Sequence, residues 1–420
     1  MPFLRTALLV ASSLTLLASS PAWADDKALA PFDASVAWSS FSKLLHENYS
    51  YFDRPGIDGD TILAAFAARA KAARSDKEFI DTLQLVSHNF ADPHFIVGPS
   101  DPADWSVVPT SSDLFGTFDG KAFTIDQVRA GSDALAKGAR AGMEVRQIDG
   151  RSPRAAIEVI TGRPFAALST VQAVFAFNIA LAGIARQPRS LDVVDGHVRS
   201  TLHLASARDQ AKRLRDGPLL SVERYGTFGI IRINNSLGNY ALIERFAQAL
   251  ATLKDTTTLL IDLRETPSGG NTIVARGIMG HFVDHDRPYQ MHVISSESRV
   301  FGPTRKFVEY VTPYGAHYAG KVYVAGGRWT GSMGEGLMLG FDAIGATTVG
   351  SELAHLLGAL SDDTIDGSAA TVAIGTEELF TVTGLPRAAY RPQLYLLNTE
   401  RDETHDPVLA AIGQSLPTPH

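Results

Sequence analysis

The feature that most constrains the fold of this chain is a regular alternation of apolar strand-like and helix-like segments after residue 219. The predicted strands are at residues 228–233, 258–263, 289–295 and 321–325, and the predicted helices are at residues 241–253, 272–283 and 334–341. Parallel strands must be joined by crossover connections, which are usually helices. The alternation therefore predicts an α/β domain with a parallel-rich sheet, which we place at residues 215–420.

Length and composition suit a chain of two to three domains, because 420 residues with 45% hydrophobic residues can build more than one core. Residues 1–24 have the layout of a secretory signal, with Arg5 before a short apolar run and Ala22-Trp23-Ala24 at the end. We expect a mature chain that starts near Asp25 and is periplasmic or secreted. No other run reaches the ~18 apolar residues of a membrane span.

Charge and residue usage exclude several classes of function. The net charge is -7 and no basic cluster is present, which argues against nucleic acid as a partner. The chain has no cysteine, so disulfides, thiol catalysis and cysteine-ligated metals are excluded. His281 and His285 have helical spacing but no third ligand is evident, so we predict no metal site. No glycine-rich phosphate loop follows a strand, and we predict no cofactor.

Two smaller regions precede the α/β domain. Residues 25–98 have helical periodicity, with Ser75 and Glu78 as a predicted capping box, and Pro93 stops the helical pattern. In residues 108–208 short strands come first, and the later predicted elements are a helical turn before Gly142, a turn at Asp149-Gly150, helices at 153–160 and 168–181, and a hairpin at 191–204. This second region resembles a PDZ domain, which implies a module that adds an extended peptide as a strand.

Ser332 lies where the apolar strand 321–325 breaks at glycines before a helix begins. Exposed backbone N–H groups and the positive end of the helix dipole favour an oxyanion at such a turn, so the position suits a nucleophilic serine. An N-cap serine would have the same sequence signature, and the Gly-x-Ser-x-Gly elbow is absent. Ser332 alone therefore leaves both interpretations open.

A second segment favours the nucleophile. The strand at 258–263 ends in Asp262-Leu263-Arg264, and a turn with Gly269 and Gly270 comes before the next helix. Together the two segments resemble the S41 family of serine peptidases, which includes the carboxyl-terminal processing and tricorn-type proteases. The sequence departs from the family pattern at Thr266 and Ser268, where the usual residues are Asn and Gly.

The resemblance implies a fold and an oxyanion hole. The expected fold class is α/β, with a crotonase-like ββα catalytic domain, an N-terminal helical domain and a PDZ-like insert. The implied oxyanion donors are the backbone N–H of Met333 and that of Gly269 or Gly270. Asp262 and Arg264 are expected to be structural, as an ion pair or a backbone clamp at the strand end.

The base that activates Ser332 is predicted to be a histidine. No lysine occurs after Ser332, which excludes the Ser-Lys dyad of the processing proteases in its usual arrangement. The tricorn-like branch places a histidine in an Asp-x-His motif after the N-terminal helices, and Asp92-Pro93-His94 occurs there. The resemblance therefore implies His94 as the general base.

The group that orients His94 is not identified by the sequence. Relatives have a serine before the histidine and a glutamate nearly sixty residues after the nucleophile, whereas this chain has Pro93 and Ala388. Possible orienters are Asp92 and Glu335, with Glu377 and Glu378 as further candidates. Without a buried carboxylate we expect a slow enzyme and a histidine pKa near the unperturbed ~6.5.

The resemblance implies a serine endopeptidase that cleaves peptides or unfolded proteins through an acyl-enzyme on Ser332. The missing groups around His94 would also suit a non-catalytic protein of the same fold that binds a peptide or an apolar ligand. A hydrolase of small esters is a third hypothesis. The sequence does not specify the substrate or the oligomeric state.

Overall fold

A computed structural model describes residues 31–399, 401 and 405–414, so the predicted signal segment lies outside the described residues. The described residues form a mixed α/β structure with three sheets of five or six strands and a short two-stranded ribbon. Among these residues no helix is both long enough and apolar enough to cross a membrane.

The first region is helical. It contains α1 (Ala34–Asn48), β1 (Asp53–Arg54), β2 (Ile57–Asp58), α2 (Gly59–Lys71), α3 (Asp76–Phe90) and β3 (Ile96–Gly98). The Ser75 hydroxyl accepts a hydrogen bond from the Glu78 N–H at the start of α3, which confirms the N-cap half of the predicted capping box. The Glu78 carboxylate accepts from the Arg74 N–H instead of the Ser75 N–H. Helix α3 ends at Ala91, which has a left-handed backbone (φ 49°), and the chain then turns toward His94.

The second region is a five-stranded antiparallel sheet with helices on one side. Its elements are β4 (Leu114–Phe118), β5 (Phe123–Val128), α4 (Asp133–Ala136), β6 (Glu144–Ile148), α5 (Pro153–Thr161), α6 (Thr170–Ala182), β7 (Arg189–Asp195) and β8 (Val198–Leu204). The strand order is β4-β5-β6-β7-β8. Both predicted helices and the predicted hairpin are confirmed.

Helix α6 covers the free edge of β4. The side-chain amide of Asn178 accepts a hydrogen bond from the Gly116 N–H and donates one to the Gly116 carbonyl. A methyl group on Gly116 would lie 2.4 Å from the ring of Phe177, so only glycine allows this approach. A peptide strand therefore cannot pair with β4 at Gly116 unless α6 moves.

The third region contains the alternation that the sequence predicts. Its elements are α7 (Arg208–Asp216), β9 (Leu220–Tyr225), β10 (Phe228–Ile233), α8 (Ala241–Thr252), β11 (Thr258–Asp262), α9 (Thr272–Met279), β12 (Arg287–Ile294), α10 (Ser295–Phe301), β13 (Arg305–Val311), β14 (Lys321–Gly326), α11 (Met333–Ala343), β15 (Thr347–Gly350), β16 (Ala359–Thr364), β17 (Thr371–Phe380), β18 (Leu394–Tyr395) and α12 (Pro407–Ala411). Strands β10, β11, β14, β15 and β18 are parallel and β9 joins the edge antiparallel. The predicted parallel-rich sheet is confirmed, but the strand predicted at 289–295 is not part of it, because β12 pairs antiparallel with β13 and β17 in a second sheet.

A second sheet in this region is not predicted by the sequence pattern. It has the order β13-β12-β17-β16, and β3 of the first region pairs with β17. The core of the N-terminal helices is completed by the β16–β17 hairpin, through Ile365, Val372 and Ile374. The helical region is thus packed on residues that lie almost 300 positions later, and this packing carries His94 toward the large sheet.

Candidate active site

Ser332 occupies the turn between β14 and α11, as predicted. Its backbone has φ 51° and ψ -115°, a conformation that residues with a side chain rarely adopt and that costs on the order of 1–3 kcal/mol. The buried Thr330 hydroxyl donates to the Leu263 carbonyl and accepts from the Gly327 N–H. These bonds fasten the turn to the end of β11.

Glu335 fixes the Ser332 backbone from the first turn of α11. Its carboxylate is fully buried and accepts three backbone N–H groups, those of Ser332 (2.8 Å), His355 (3.0 Å) and Leu356 (3.1 Å). Burial raises the pKa of this carboxyl, against the positive charge of Arg387 and the three hydrogen bonds. The described contacts of Glu335 are to the backbone and not to the ring of His94.

The two glycines of the predicted oxyanion segment differ in their surroundings. Gly269 has φ 61°, and a methyl group on it would lie 2.3 Å from Ser332 Cβ and 2.7 Å from the Met333 nitrogen. A methyl group on Gly270 would instead lie 2.1 Å from the carbonyl of Leu237. Glycine is required at both positions, and Gly269 is the one in contact with the nucleophile turn.

Hydrogen bonding further separates the candidate oxyanion donors. The Gly269 N–H donates to the Thr266 carbonyl at 3.1 Å. Within the described part of the chain, the N–H groups of Gly270 and Met333 have no hydrogen-bond acceptor. Unpaired backbone donors beside a serine at a helix N-terminus can stabilise a developing negative charge.

Asp262 and Arg264 form an ion pair, as expected from the sequence. Arg264 donates to both oxygens of Asp262 and also binds the carboxylate of Asp406. Burial acts to raise the pKa of Asp262, but the charge and hydrogen bonds of Arg264 outweigh it and hold that pKa well below its usual range. The pair therefore anchors the end of β11 to the last described helix.

His94 is buried behind the loop that comes after β15. Its backbone N–H donates to Asp92 Oδ1 (2.9 Å), and the other oxygen of Asp92 accepts from the Tyr49 hydroxyl (2.8 Å). The ring Nδ1 lies 2.9 Å from the Leu357 carbonyl. A carbonyl oxygen can only accept, so Nδ1 carries the proton and Nε2 keeps the lone pair that a general base needs.

The structure supports a lower pKa for His94 than the value near 6.5 that is expected from the sequence. Burial, followed by the positive charge of Arg387, lowers the pKa of His94 to about 4. Burial also raises the pKa of Asp92 to about 6. Asp92 holds the backbone of His94 and does not contact its ring.

Arg387 is a neighbour of His94 that the sequence pattern does not reveal. Its guanidinium donates to the carbonyls of Leu356 (2.5 Å) and Gly358 (3.1 Å), which flank the Leu357 carbonyl that holds the imidazole. The resemblance directs attention to a carboxylate in this late segment, whereas the structure places a cation there. The arginine one position before Ala388 is the signal that could have indicated it.

The structure brings Ser332 and His94 to two sides of one loop but does not join them. Glu335 binds the N–H groups of His355 and Leu356 on the Ser332 side, and the next carbonyl, that of Leu357, binds His94. No hydrogen bond between Ser332 Oγ and His94 occurs among the contacts of the described residues. Within those residues, no group of three His, Asp or Glu side chains could hold a metal ion.

The fold is similar to that of known peptidases. A photosystem II D1 C-terminal processing protease has a TM-score of 0.55 and 15% identity over 86% of this chain and 93% of its own. Mature CPAF has a TM-score of 0.54 and 12% identity over 87% of this chain and 92% of its own.

The chain has an S41-like peptidase fold. No protein-family model and no curated protein sequence matches it. At 12–15% identity, the likeness establishes the S41-like fold alone.

Proposed function

We propose that the chain is a serine endopeptidase with Ser332 as nucleophile and His94 as general base. The observation that carries the proposal is the Ser332 turn, where a serine with a strained backbone packs against Gly269. The next residues of the two segments, Met333 and Gly270, have N–H groups with no acceptor among the described residues. A simple N-cap serine has an extended backbone, so capping the helix does not require the positive φ of Ser332.

The proposed reaction has two stages, acylation of Ser332 and hydrolysis of the acyl-enzyme, and His94 transfers protons in both. Ser332 Oγ attacks the carbonyl carbon of the scissile peptide bond while its proton passes to His94 Nε2. The resulting oxyanion is stabilised by the N–H groups of Met333 and Gly270. His94 then donates the proton to the leaving amine as the C–N bond breaks. Water, deprotonated by the same nitrogen, hydrolyses the acyl-enzyme, and His94 returns that proton to Ser332 Oγ as it leaves.

We further propose that the Leu357 carbonyl takes the place of a carboxylate as the orienter of His94. It fixes the required tautomer but supplies no full negative charge to stabilise the imidazolium. Catalytic hydrogen bonds are often long or absent without substrate and tighten when it binds. The proposal therefore requires that substrate binding closes the gap between Ser332 Oγ and His94 Nε2.

The organisation around this site is proposed on the same basis. We infer a helical domain at 25–98, a PDZ-like insert at 108–208 and a crotonase-like catalytic domain at 215–420. The proposed substrates are peptides or unfolded proteins, and the proposed location is periplasmic or secreted because of the signal-like segment at 1–24.

A non-catalytic binding function on the same fold is the second candidate. Two observations favour it, namely the missing hydrogen bond between Ser332 and His94 and the cation, Arg387, beside the imidazole. Both would be tolerated in a protein that only holds a peptide or an apolar ligand.

Labelling by a fluorophosphonate separates the two candidates, because the reagent reacts with activated serines. We expect the wild-type protein to be labelled on Ser332 and the Ser332→Ala variant to lose labelling and peptide turnover by several orders of magnitude. Ser268→Ala, which removes a nearby exposed hydroxyl, is the matched control and should label normally. Absence of labelling in the wild-type protein would favour the binding function.

A further inference from the structure

An apolar cavity of about 310 Å³ lies beside the candidate active site. It is formed where α6, the segment before β4 and the loop at 354–355 meet. The apolar side chains in its lining include those of Val108, Pro109, Phe115, Val171, Val174 and Phe175. The volume is at the lower end of the range of ligand-binding sites, which are mostly apolar.

The cavity wall is bonded directly to the nucleophile turn. The indole N–H of Trp329, three residues before Ser332, donates to the carbonyl and hydroxyl of Ser112 in the wall. Ala354, also in the wall, donates its N–H to the Thr330 carbonyl at 3.1 Å. Pro93, the neighbour of His94, also lines the cavity.

Three of the polar side chains in the wall are already engaged by the protein, and the fourth, that of Thr170, is exposed. The Asn178 amide binds the backbone of Gly116 and the carbonyl of Val174. The Ser112 hydroxyl donates to the Pro109 carbonyl and accepts from Trp329. His355 binds Glu352 through Nε2 at 3.0 Å. Away from the exposed Thr170, a polar ligand group would therefore lose its water without gaining a free partner, which disfavours it.

We propose that this cavity is the subsite for an apolar side chain of the peptide substrate, close to the scissile bond. The inference rests on the proposed function, since it assigns a substrate class to the same site. The occupant is a side chain and not an added strand, because α6 covers the edge of β4. The chain then selects peptides with a large aliphatic or aromatic residue and rejects polar residues of equal size.

Binding of short peptides to the Ser332→Ala variant tests the proposal without turnover. The probes are acetyl-Ala-Ala-Xaa-Ala-Ala amides in which Xaa is Leu or Asn, two residues of similar size. All other positions are alanine, so Xaa can take the subsite that it prefers. We expect the Leu peptide to bind about tenfold to a hundredfold more tightly than the Asn peptide in calorimetry.

Filling the cavity should remove this preference. Val174→Trp occupies the interior and Val171→Trp the more exposed rim, so the second variant keeps the test valid if the first does not fold. Val159→Trp, on an exposed face of α5 outside the cavity, is the matched control. We expect a Leu-to-Asn ratio below about threefold in both cavity variants and an unchanged ratio in the control.

The outcomes separate this inference from the proposed function. A Leu preference that persists in Val174→Trp and Val171→Trp, or no preference in any variant, overturns the subsite. Two results together would support the subsite and contradict the peptidase. The cavity variants would lose the Leu preference, and the wild-type protein would cleave no peptide.

Discussion

The Ser332 turn and the His94 segment are built in contrasting ways. The turn is fastened by residues of its own two motifs, with Thr330 and Glu335 binding backbone groups and Gly269 allowing close packing. His94 is held by the Leu357 carbonyl, 263 residues away in sequence, and lies near the charge of Arg387. The nucleophile side is thus assembled locally, whereas the base side exists only when the first and third regions of the chain are packed together.

The contrast shows that the nucleophile side and the base side of the proposed site can lose their function independently. A degenerate member of the fold could keep the local turn while losing the long-range support of its histidine. Three predictions test whether the His94 side is functional, in order of decreasing effect.

The largest expected effect is that of His94→Ala, which should lower kcat/KM for a peptide by about 10³-fold or more. A nucleophile and its base act as a unit, so the Ser332→Ala, His94→Ala double variant should be no slower than the slower single variant. Steady-state kinetics of the three proteins check this. Additive losses would show that another group accepts the Ser332 proton.

The second effect concerns stability between pH 6.5 and 4. The pKa of His94 is lowered to about 4 in the folded state, so the unfolded chain binds this proton first and stability falls as the pH drops through this window. The pKa of Asp92 is raised to about 6, so the folded chain binds that proton first and stability rises as the pH drops. The two contributions oppose each other in the wild-type protein.

Removing one of the two groups should reveal the contribution of the other to the pH dependence of stability. Relative to wild type, Asp92→Asn should lose about 3 kcal/mol of its free energy of unfolding between pH 6.5 and 4, and His94→Ala should gain about as much. Denaturant unfolding at a series of pH values measures both. Parallel pH curves for wild type and both variants would show that neither group is buried in the folded protein in solution.

The smallest effect is a shift of the pH profile. Catalysis needs neutral His94, so kcat/KM should rise with pH through an apparent pKa near 4 in the wild-type protein. Burial contributes most to this low value and Arg387 contributes next, so Arg387→Met should move the acidic limb upward by about one pH unit. Arg387→Lys keeps the charge and serves as the control. An unchanged acidic limb of the kcat/KM profile in Arg387→Met would show that the charge of Arg387 does not lower the pKa of His94.

The sequence predicts the Ser332 side far better than the His94 side. Ser332, Gly269 and Gly270 are recognisable because strand, glycines and helix succeed one another within a few residues. The Leu357 carbonyl has no sequence signature, since any residue provides one. Arg387 resembles an ordinary late arginine, because its approach to His94 depends on how the helical region packs on the β16–β17 hairpin.

The fold, too, is predictable from the sequence only where the pattern is local. The central strands β10, β11 and β14 of the parallel sheet are predictable from their apolar runs, because burial on both faces removes polar residues. The short β15 and β18 of the same sheet are not predicted. The β16–β17 hairpin has polar residues along β16, including Asp362 and Asp363, so its pattern does not indicate a core strand. Its inner face completes the core of helices almost 300 residues earlier, which no local pattern reports.

The most direct test of the account is a crystal structure of the protein after reaction with a fluorophosphonate. We expect the phosphorus on Ser332 Oγ and a phosphonyl oxygen bound by the N–H groups of Met333 and Gly270. His94 Nε2 should lie within about 2.6–3.2 Å of Ser332 Oγ, with Nδ1 still on the Leu357 carbonyl. An adduct in which His94 stays out of reach of Ser332, or in which those two N–H groups face away from the phosphonyl oxygen, would contradict it.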